Sequence, residues 1–155
     1  MTLTRVSGRR RFIFATGATL ALPLVGLRGA HAQVDTLTPL IHQITGGVQP
    51  KKGRVKLEIA RIADNGNAVP LKVSVDSPMT ERDYVKSIHV LSEKNPRPVI
   101  AGFFFTPHSG RAQVNTRIRL NGTQELVALA TLSDGSFWMD AADILVTISA
   151  CYDAT

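Results

Sequence analysis

The chain is 155 residues long and carries 18 Lys and Arg against 12 Asp and Glu. Five of the basic residues and none of the acidic ones lie in residues 1–32, so the remaining 13 basic and 12 acidic side chains give residues 33–155 a net charge of +1. Such a balance argues against nucleic-acid binding and against electrostatic attachment to a membrane surface. The roughly 120 residues after position 32 suffice for one domain with a single core.

The N-terminal segment is predicted to be an export signal. Its basic start contains Arg9 and Arg10 and is followed by an apolar run over 12–27 and by small residues at its end, the order of a cleavable signal peptide. Arg9, Arg10 and Phe12 resemble the twin-arginine pattern, which directs folded proteins across the bacterial inner membrane. An ordinary Sec signal is the alternative, and both routes predict a periplasmic protein. An apolar run of about 16 residues is short of the ~20 needed to span a bilayer, so the mature form is expected to have no membrane anchor.

The first periodic segment predicts a short helix over 36–44. Its apolar residues recur at helical spacing: Leu37, Leu40, Ile41 and Ile44. Asp35 or Thr36 is expected to cap its start, and Gly46 and Gly47 to end it. The apolar stripe requires a sheet or a partner to cover it.

From residue 55 the apolar period changes to two, which is typical of half-buried strands. The predicted strands are 55–59, 69–75, 85–91, 100–105, 114–120, 125–132, 136–138 and 144–148. Turn clusters separate them, including 64–67 and the hairpin signal Asp134-Gly135. Seven or eight short strands within about 100 residues predict an all-β protein, an immunoglobulin-like antiparallel β-sandwich with a short N-terminal helix. The expected organisation is signal 1–32, sandwich 33–148 and C-terminal arm 149–155.

Few residues suggest catalysis or metal binding. The sequence lacks a glycine-rich phosphate loop, a Gly-x-Ser-x-Gly elbow, a Cys-x-x-Cys pair and a His-x-x-x-His pair, which disfavours the enzyme classes that use them. His42, His89 and His108 are assigned structural roles, because a single imidazole without an acidic cluster is a weak metal site. No catalytic residue, metal or cofactor is predicted.

Two aromatic stretches are candidate contact surfaces. Phe103, Phe104 and Phe105 must alternate between the faces of a strand, so one ring points away from the other two. Core packing explains two rings, and an exposed third ring would mark contact with another protein chain. For Phe137 and Trp138 we expect one ring inside and the other at the rim.

The single cysteine, Cys151, has no second thiol with which to form an internal disulfide. It either ends the last strand as a small buried side chain or lies on a short arm past the sheet. The few residues after it favour exposure. An exposed lone thiol in an oxidising compartment is free to form a mixed disulfide or to carry a small group.

Several blocks of the sequence, in matching order, resemble the SoxY family of sulfur carriers. They are KGRVKL (52–57), DNGNAVPL (64–71), VDSPMT (75–80), EKNP (93–96), GRA (110–112), TRIRL (116–120) and SDGSFW (133–138). The resemblance implies an immunoglobulin-like sandwich that pairs with SoxZ. It also implies that sulfur intermediates are carried covalently on the cysteine of a C-terminal Gly-Gly-Cys-Gly-Gly arm, which the Sox enzymes visit in turn.

By position, the carrier role falls on Cys151, but the flanking glycines are replaced by Ser149, Ala150, Tyr152 and Asp153. Side chains stiffen and widen such an arm, and Asp153 disfavours a thiolate beside it. The arm resembles more closely a SoxY-related subgroup with Ala-Ala-Cys-Ile-Glu.

The resemblance implies a non-catalytic periplasmic carrier that works with a SoxZ-like protein and with other Sox or periplasmic redox enzymes. The alternative is an interaction subunit that binds a SoxZ-like partner or a periplasmic redox enzyme, with Cys151 structural or vestigial.

Overall fold

The computed structural model describes residues 36–150, so the predicted signal peptide and Cys151 lie outside the described residues. One helix precedes the strands: α1 (Leu37–Thr45), then β1 (Val55–Ile59), β2 (Ile62–Asn65), β3 (Val69–Val75), β4 (Val85–Ser92), β5 (Val99–Phe104), β6 (Gln113–Ile118), β7 (Gln124–Leu132) and β8 (Phe137–Ile148). Two short 3-10 turns, Gly66–Ala68 and Pro107–Ser109, interrupt the loops. Within 36–150, no helix is long and apolar enough to cross a membrane.

The strands form two open sheets that pack face to face. The small sheet has the order β1-β3-β6 and the large sheet β2-β8-β7-β4-β5. All pairs are antiparallel except β2 with β8, which is parallel. This architecture confirms the predicted all-β sandwich with its short N-terminal helix.

The core follows from the period-two alternation of the strands. Val73 of the small sheet and Ile88, Val90 and Leu126 of the large sheet have no exposed surface, and they belong to one cluster between the sheets. Complete burial of one such aliphatic side chain is worth about 1.5–3 kcal/mol. The alternating apolar residues therefore bring the two sheets together.

Helix α1 covers part of the outer face of the large sheet, where Leu37 packs with Leu91 and Val127. Gly46 adopts the left-handed conformation (φ 63°) and ends the helix, as predicted. The predicted capping by Thr36 is wrong: its backbone is helical, so its hydroxyl makes no cap and instead donates to the Glu93 carbonyl at 3.4 Å. Asp35 lies outside the described residues.

Two predictions about the edge of the large sheet are also wrong. The segments 136–138 and 144–148 are parts of one strand, β8, whose middle pairs continuously with β7. Residues 64–65, predicted to be in a turn, belong to β2, which runs parallel to β8. Both corrections have one cause, because backbone pairing to a neighbouring strand overrides the weak strand propensity of Ala, Asp and Asn.

The predicted hairpin at Asp134-Gly135 joins β7 to β8. The Leu132 amide donates to the Ser136 carbonyl at 3.0 Å, and Gly135 has a φ of 81°. Glycine adopts this left-handed conformation without steric cost, which explains why the turn forms here.

Candidate functional site

The described chain ends one residue before the candidate carrier residue, Cys151, which lies outside the described residues, as do the signal residues Arg9, Arg10 and Phe12. The residue before the cysteine, Ala150, is buried with 4% of its surface exposed. Its amide donates to the carbonyl of Leu120 at 2.9 Å, and Leu120 is fully buried. The hydrogen bonding of the domain therefore extends past the end of β8 to Ala150.

Gly66 lies directly against this hydrogen bond. The amide of Leu120 donates to the Gly66 carbonyl at 2.8 Å, so Leu120 is bonded on both sides, to Gly66 and to Ala150. A Cβ on residue 66 would overlap the Leu120 carbonyl oxygen and lie 2.8 Å from the Ala150 nitrogen. Position 66 requires glycine because two backbones approach it this closely.

Asn95 holds the two peptides that flank Leu120. Its side-chain amide donates to the Arg119 carbonyl at 2.8 Å, and its side-chain oxygen accepts from the Asn121 amide at 2.9 Å. Asn95 is 9% exposed. One buried side chain therefore fixes the backbone turn that presents the Leu120 carbonyl to Ala150.

Ser92 and Gln124 complete a buried polar network around Asn95. The Gln124 amide donates to the Asn95 side-chain oxygen at 3.2 Å, and its own oxygen accepts from the Ser92 hydroxyl. The backbone amide of Asn95 donates to the Ser92 hydroxyl oxygen at 3.2 Å. Buried polar groups that bond each other in this way specify a single arrangement of the loops that carry them.

The sequence indicated Asn95 only as part of a turn, and the network was not predicted. Its members come from the ends of β4 and β7 and from the loop after β4, which meet only in the folded sandwich. The sequence signal for this network is the presence of Ser92 and Gln124 at strand ends where an apolar residue would fit the core.

The loops after β4 and β6 carry charges of both signs. Lys94, Arg97 and Arg119 are exposed, whereas Glu93 is half-buried and its carboxylate accepts from the Glu125 amide at 3.5 Å. Lys94 lines one cavity with Glu93, Glu125 and Asp143, so basic and acidic groups lie side by side there.

A second candidate surface lies on β5, an edge strand of the large sheet. Phe104 is 79% exposed, whereas Phe103 and Phe105 pack against the core, as the alternation predicted. The Phe104 ring contacts His89 edge-on at 5.9 Å between centroids. The ring is therefore accessible to another protein chain at an open edge of the sheet.

The second aromatic pair, Phe137 and Trp138, follows the prediction of one ring inside and the other at the rim: both residues are half-buried, and Trp138, but not Phe137, packs against the core cluster. The cationic groups of Lys51 and Arg54 each lie 5.7 Å from the Trp138 ring centroid. These cation–π contacts attach the basic linker to the start of β8.

The three histidines within residues 36–150 lie on separate elements. His42 and His108 are exposed. His89 is half-buried, and burial lowers its pKa below the usual 6.5. No group of three potential ligands that suits a metal ion occurs in the part of the chain that the structure describes.

Comparison with known proteins connects this site to a family. The family described as sulfur oxidation protein SoxY matches residues 41–151. The sulfur carrier protein SoxY from Chlorobium limicola f thiosulfatophilum has a similar structure, with a TM-score of 0.59 and 24% sequence identity over 72% of this chain and 96% of that chain. No curated protein sequence matches.

Superoxide reductases share the fold at lower identity. The enzyme from Ignicoccus hospitalis matches with a TM-score of 0.55 and 18% identity, over 61% of this chain and 80% of its own. The enzyme from Nanoarchaeum equitans matches with a TM-score of 0.52 and 14% identity, over 62% of this chain and 100% of its own. These likenesses concern the sandwich alone. The match over 41–151, by contrast, spans most of the domain and ends on the cysteine, and it shows that the chain belongs to the SoxY family of sulfur oxidation proteins.

Proposed function

We propose that this chain is a periplasmic carrier that holds sulfur intermediates covalently on Cys151 and presents them to partner enzymes. Membership of the SoxY family supports a role as a sulfur carrier within the Sox system. The observation that carries the proposal is that the family match ends on the single cysteine of the chain.

The chemistry requires a thiolate, which is the nucleophilic form of cysteine. Joining the Cys151 thiolate to a sulfur anion through an S–S bond releases two electrons, and a redox enzyme among the partners accepts them. A partner then brings water or a second thiol to attack the cargo sulfur; the S–S bond breaks, its electron pair returns to Cys151 as the thiolate, and the cargo leaves in its oxidised state bonded to the attacking group. The chain contributes the thiol and its placement, and catalysis belongs to the partners.

The geometry before the cysteine supports this role. Consecutive Cα atoms are about 3.8 Å apart, so the fixed position of Ala150 determines where the thiol-bearing segment starts. The loops after β4 and β6 meet at this end of the sandwich, because Asn95 bonds to the peptides on both sides of Leu120.

The proposal also covers the export route, the SoxY-related subgroup and the partner of the chain. Arg9, Arg10 and Phe12 would direct the folded protein through the twin-arginine pathway. The non-glycine arm supports assignment of the chain to the Ala-Ala-Cys-Ile-Glu subgroup. A SoxZ-like protein is the proposed partner, and Phe104 on the open edge of β5 is the proposed contact.

The test is the intact mass of the protein isolated from periplasm without reductant, after growth on a reduced sulfur compound. We expect a sulfur-containing adduct that reductant removes, and Cys151→Ser should lack it. An unmodified thiol in every preparation would contradict the carrier role.

The second candidate is a non-carrier interaction subunit with Cys151 structural or vestigial. Two observations favour it: the side chains that replace the glycines of the arm, and the exposed Phe104. Cys151→Ser separates the two, since complex formation should survive under both while sulfur-dependent growth should fail only if Cys151 carries sulfur.

A further inference from the structure

Gly66, Asn95, Leu120 and Ala150 form a hydrogen-bonded connection, here named the latch, between the core and the residue before Cys151. We propose that the latch positions the carrier thiol, with Asn95 as the positioning residue. The inference rests on the proposed carrier role of Cys151, and it adds how the domain controls the reach of that residue.

The latch is built in series. Asn95 fixes the peptides on either side of Leu120, at 2.8 Å to the Arg119 carbonyl and 2.9 Å from the Asn121 amide. The Leu120 carbonyl accepts a hydrogen bond from the Ala150 amide at 2.9 Å, and the Leu120 amide donates to the Gly66 carbonyl. Every latch residue is buried, so water does not replace these bonds without local opening.

The latch determines the length of the arm. While it is closed, Ser149 and Ala150 belong to the domain, and the thiol-bearing segment starts after Ala150. Opening releases these two residues, which adds about 7 Å of extended chain. A partner with a deep active site requires the open latch, and a partner with a shallow one accepts the closed form.

Ala150 makes this chain different from a glycine arm. Its methyl group is buried, and an alanine backbone has fewer alternative conformations than glycine when released. Both effects stabilise the closed latch relative to the glycine that the carrier pattern has there. The departure from the glycine motif is therefore a shift toward a shorter, better fixed arm.

Hydrogen exchange of the full chain tests the latch. In Asn95→Ala, the Ala150 amide should exchange about three- to tenfold faster, the loss expected for one hydrogen-bonded support. The matched control is Asn115→Ala, an exposed asparagine on β6 that is outside the latch. Protection of Ala128, in the middle of β7, reports global stability.

A merely structural Asn95 would lower protection of Ala150 and Ala128 equally, and that result would overturn the proposal. If Asn95→Ala does not fold, Ala150→Gly replaces it, with Ala60→Gly, at an exposed alanine outside the latch, as its control. There too, protection of the residue 150 amide, corrected for its intrinsic exchange rate, should fall more than that of Ala128, and an equal fall would overturn the latch.

The second readout is alkylation of Cys151 by a polymer-linked maleimide relative to iodoacetamide. Opening the latch moves the thiol away from the domain, so the ratio of the two rates should rise in Asn95→Ala and stay unchanged in Asn115→Ala. An unchanged ratio in Asn95→Ala would overturn control of reach. Failure to detect a sulfur adduct in the parent protein would instead contradict the carrier role, and the exchange result would be unaffected.

Discussion

The carboxylate of Asp140, in the middle of β8, accepts a hydrogen bond from the backbone amide of Leu57 at 2.9 Å. This bond crosses the sandwich from β1 of the small sheet to β8 of the large one. It places an acidic side chain between the sheets, in the gap between the predicted strands 136–138 and 144–148. Asp140, which interrupts the apolar alternation of β8 in the sequence, therefore connects the two sheets.

Asp140→Ala should lower the free energy of unfolding by about 1–3 kcal/mol, because the part-buried Leu57 amide loses its partner. Urea unfolding measures the change. Asp143→Ala is the control, since Asp143 is exposed on the same strand and its loss should change stability by no more than about 0.5 kcal/mol. Equal effects of the two substitutions would refute the bridging role of Asp140.

Most of the sandwich was predictable because the apolar residues repeat strictly. Val69, Leu71, Val73 and Val75 alternate without interruption, and β3 forms where that pattern predicted it. The same alternation identified Phe104 as the outward ring of its aromatic group. Strands whose inner faces are wholly apolar can be recognised in the sequence by this alternation.

The edge of the large sheet and the latch were not predictable in this way. β2 is short and mostly exposed, so it exists through pairing with β8 and not through its own pattern. Asn95 gains its role from the carbonyl of Arg119 and the amide of Asn121, 24 and 26 residues away. Hydrogen bonds between polar residues that are far apart in the sequence produce no periodic pattern from which they could be predicted. The candidate cysteine was identified because it is the single one.

Glu58 provides a prediction about pH. Lys56 and Lys72 each bring an ammonium group within 2.7 Å of its carboxylate, and their hydrogen bonds lower the Glu58 pKa from 4.5 to about 2. Because the folded-state pKa is depressed, the contribution of Glu58 to stability is present above pH 4.5 and is lost as the pH falls toward 2.

The measurement is an NMR titration of the Glu58 carboxyl carbon in the parent protein and in Lys72→Gln. Lys72 lies directly opposite Glu58 on β3, so its replacement should move the pKa upward toward 4.5. High salt should move it in the same direction by screening these exposed charges. A titration midpoint near 4.5 in the parent protein would show that the ion pairs do not form in solution.

Phe104 provides the prediction about the partner. Phe104→Ser removes a ring that is 79% exposed, so stability should change little, while binding to a SoxZ-like subunit should weaken by about 2 kcal/mol, the loss typical of an aromatic hot spot. Phe103→Ser is the matched control. Phe103 packs against the core from the other face of β5, so its replacement should destabilise the sandwich. Titration calorimetry with the partner and urea unfolding separate the two effects. Unweakened binding by Phe104→Ser would place the partner on another surface and leave the ring without a role in assembly.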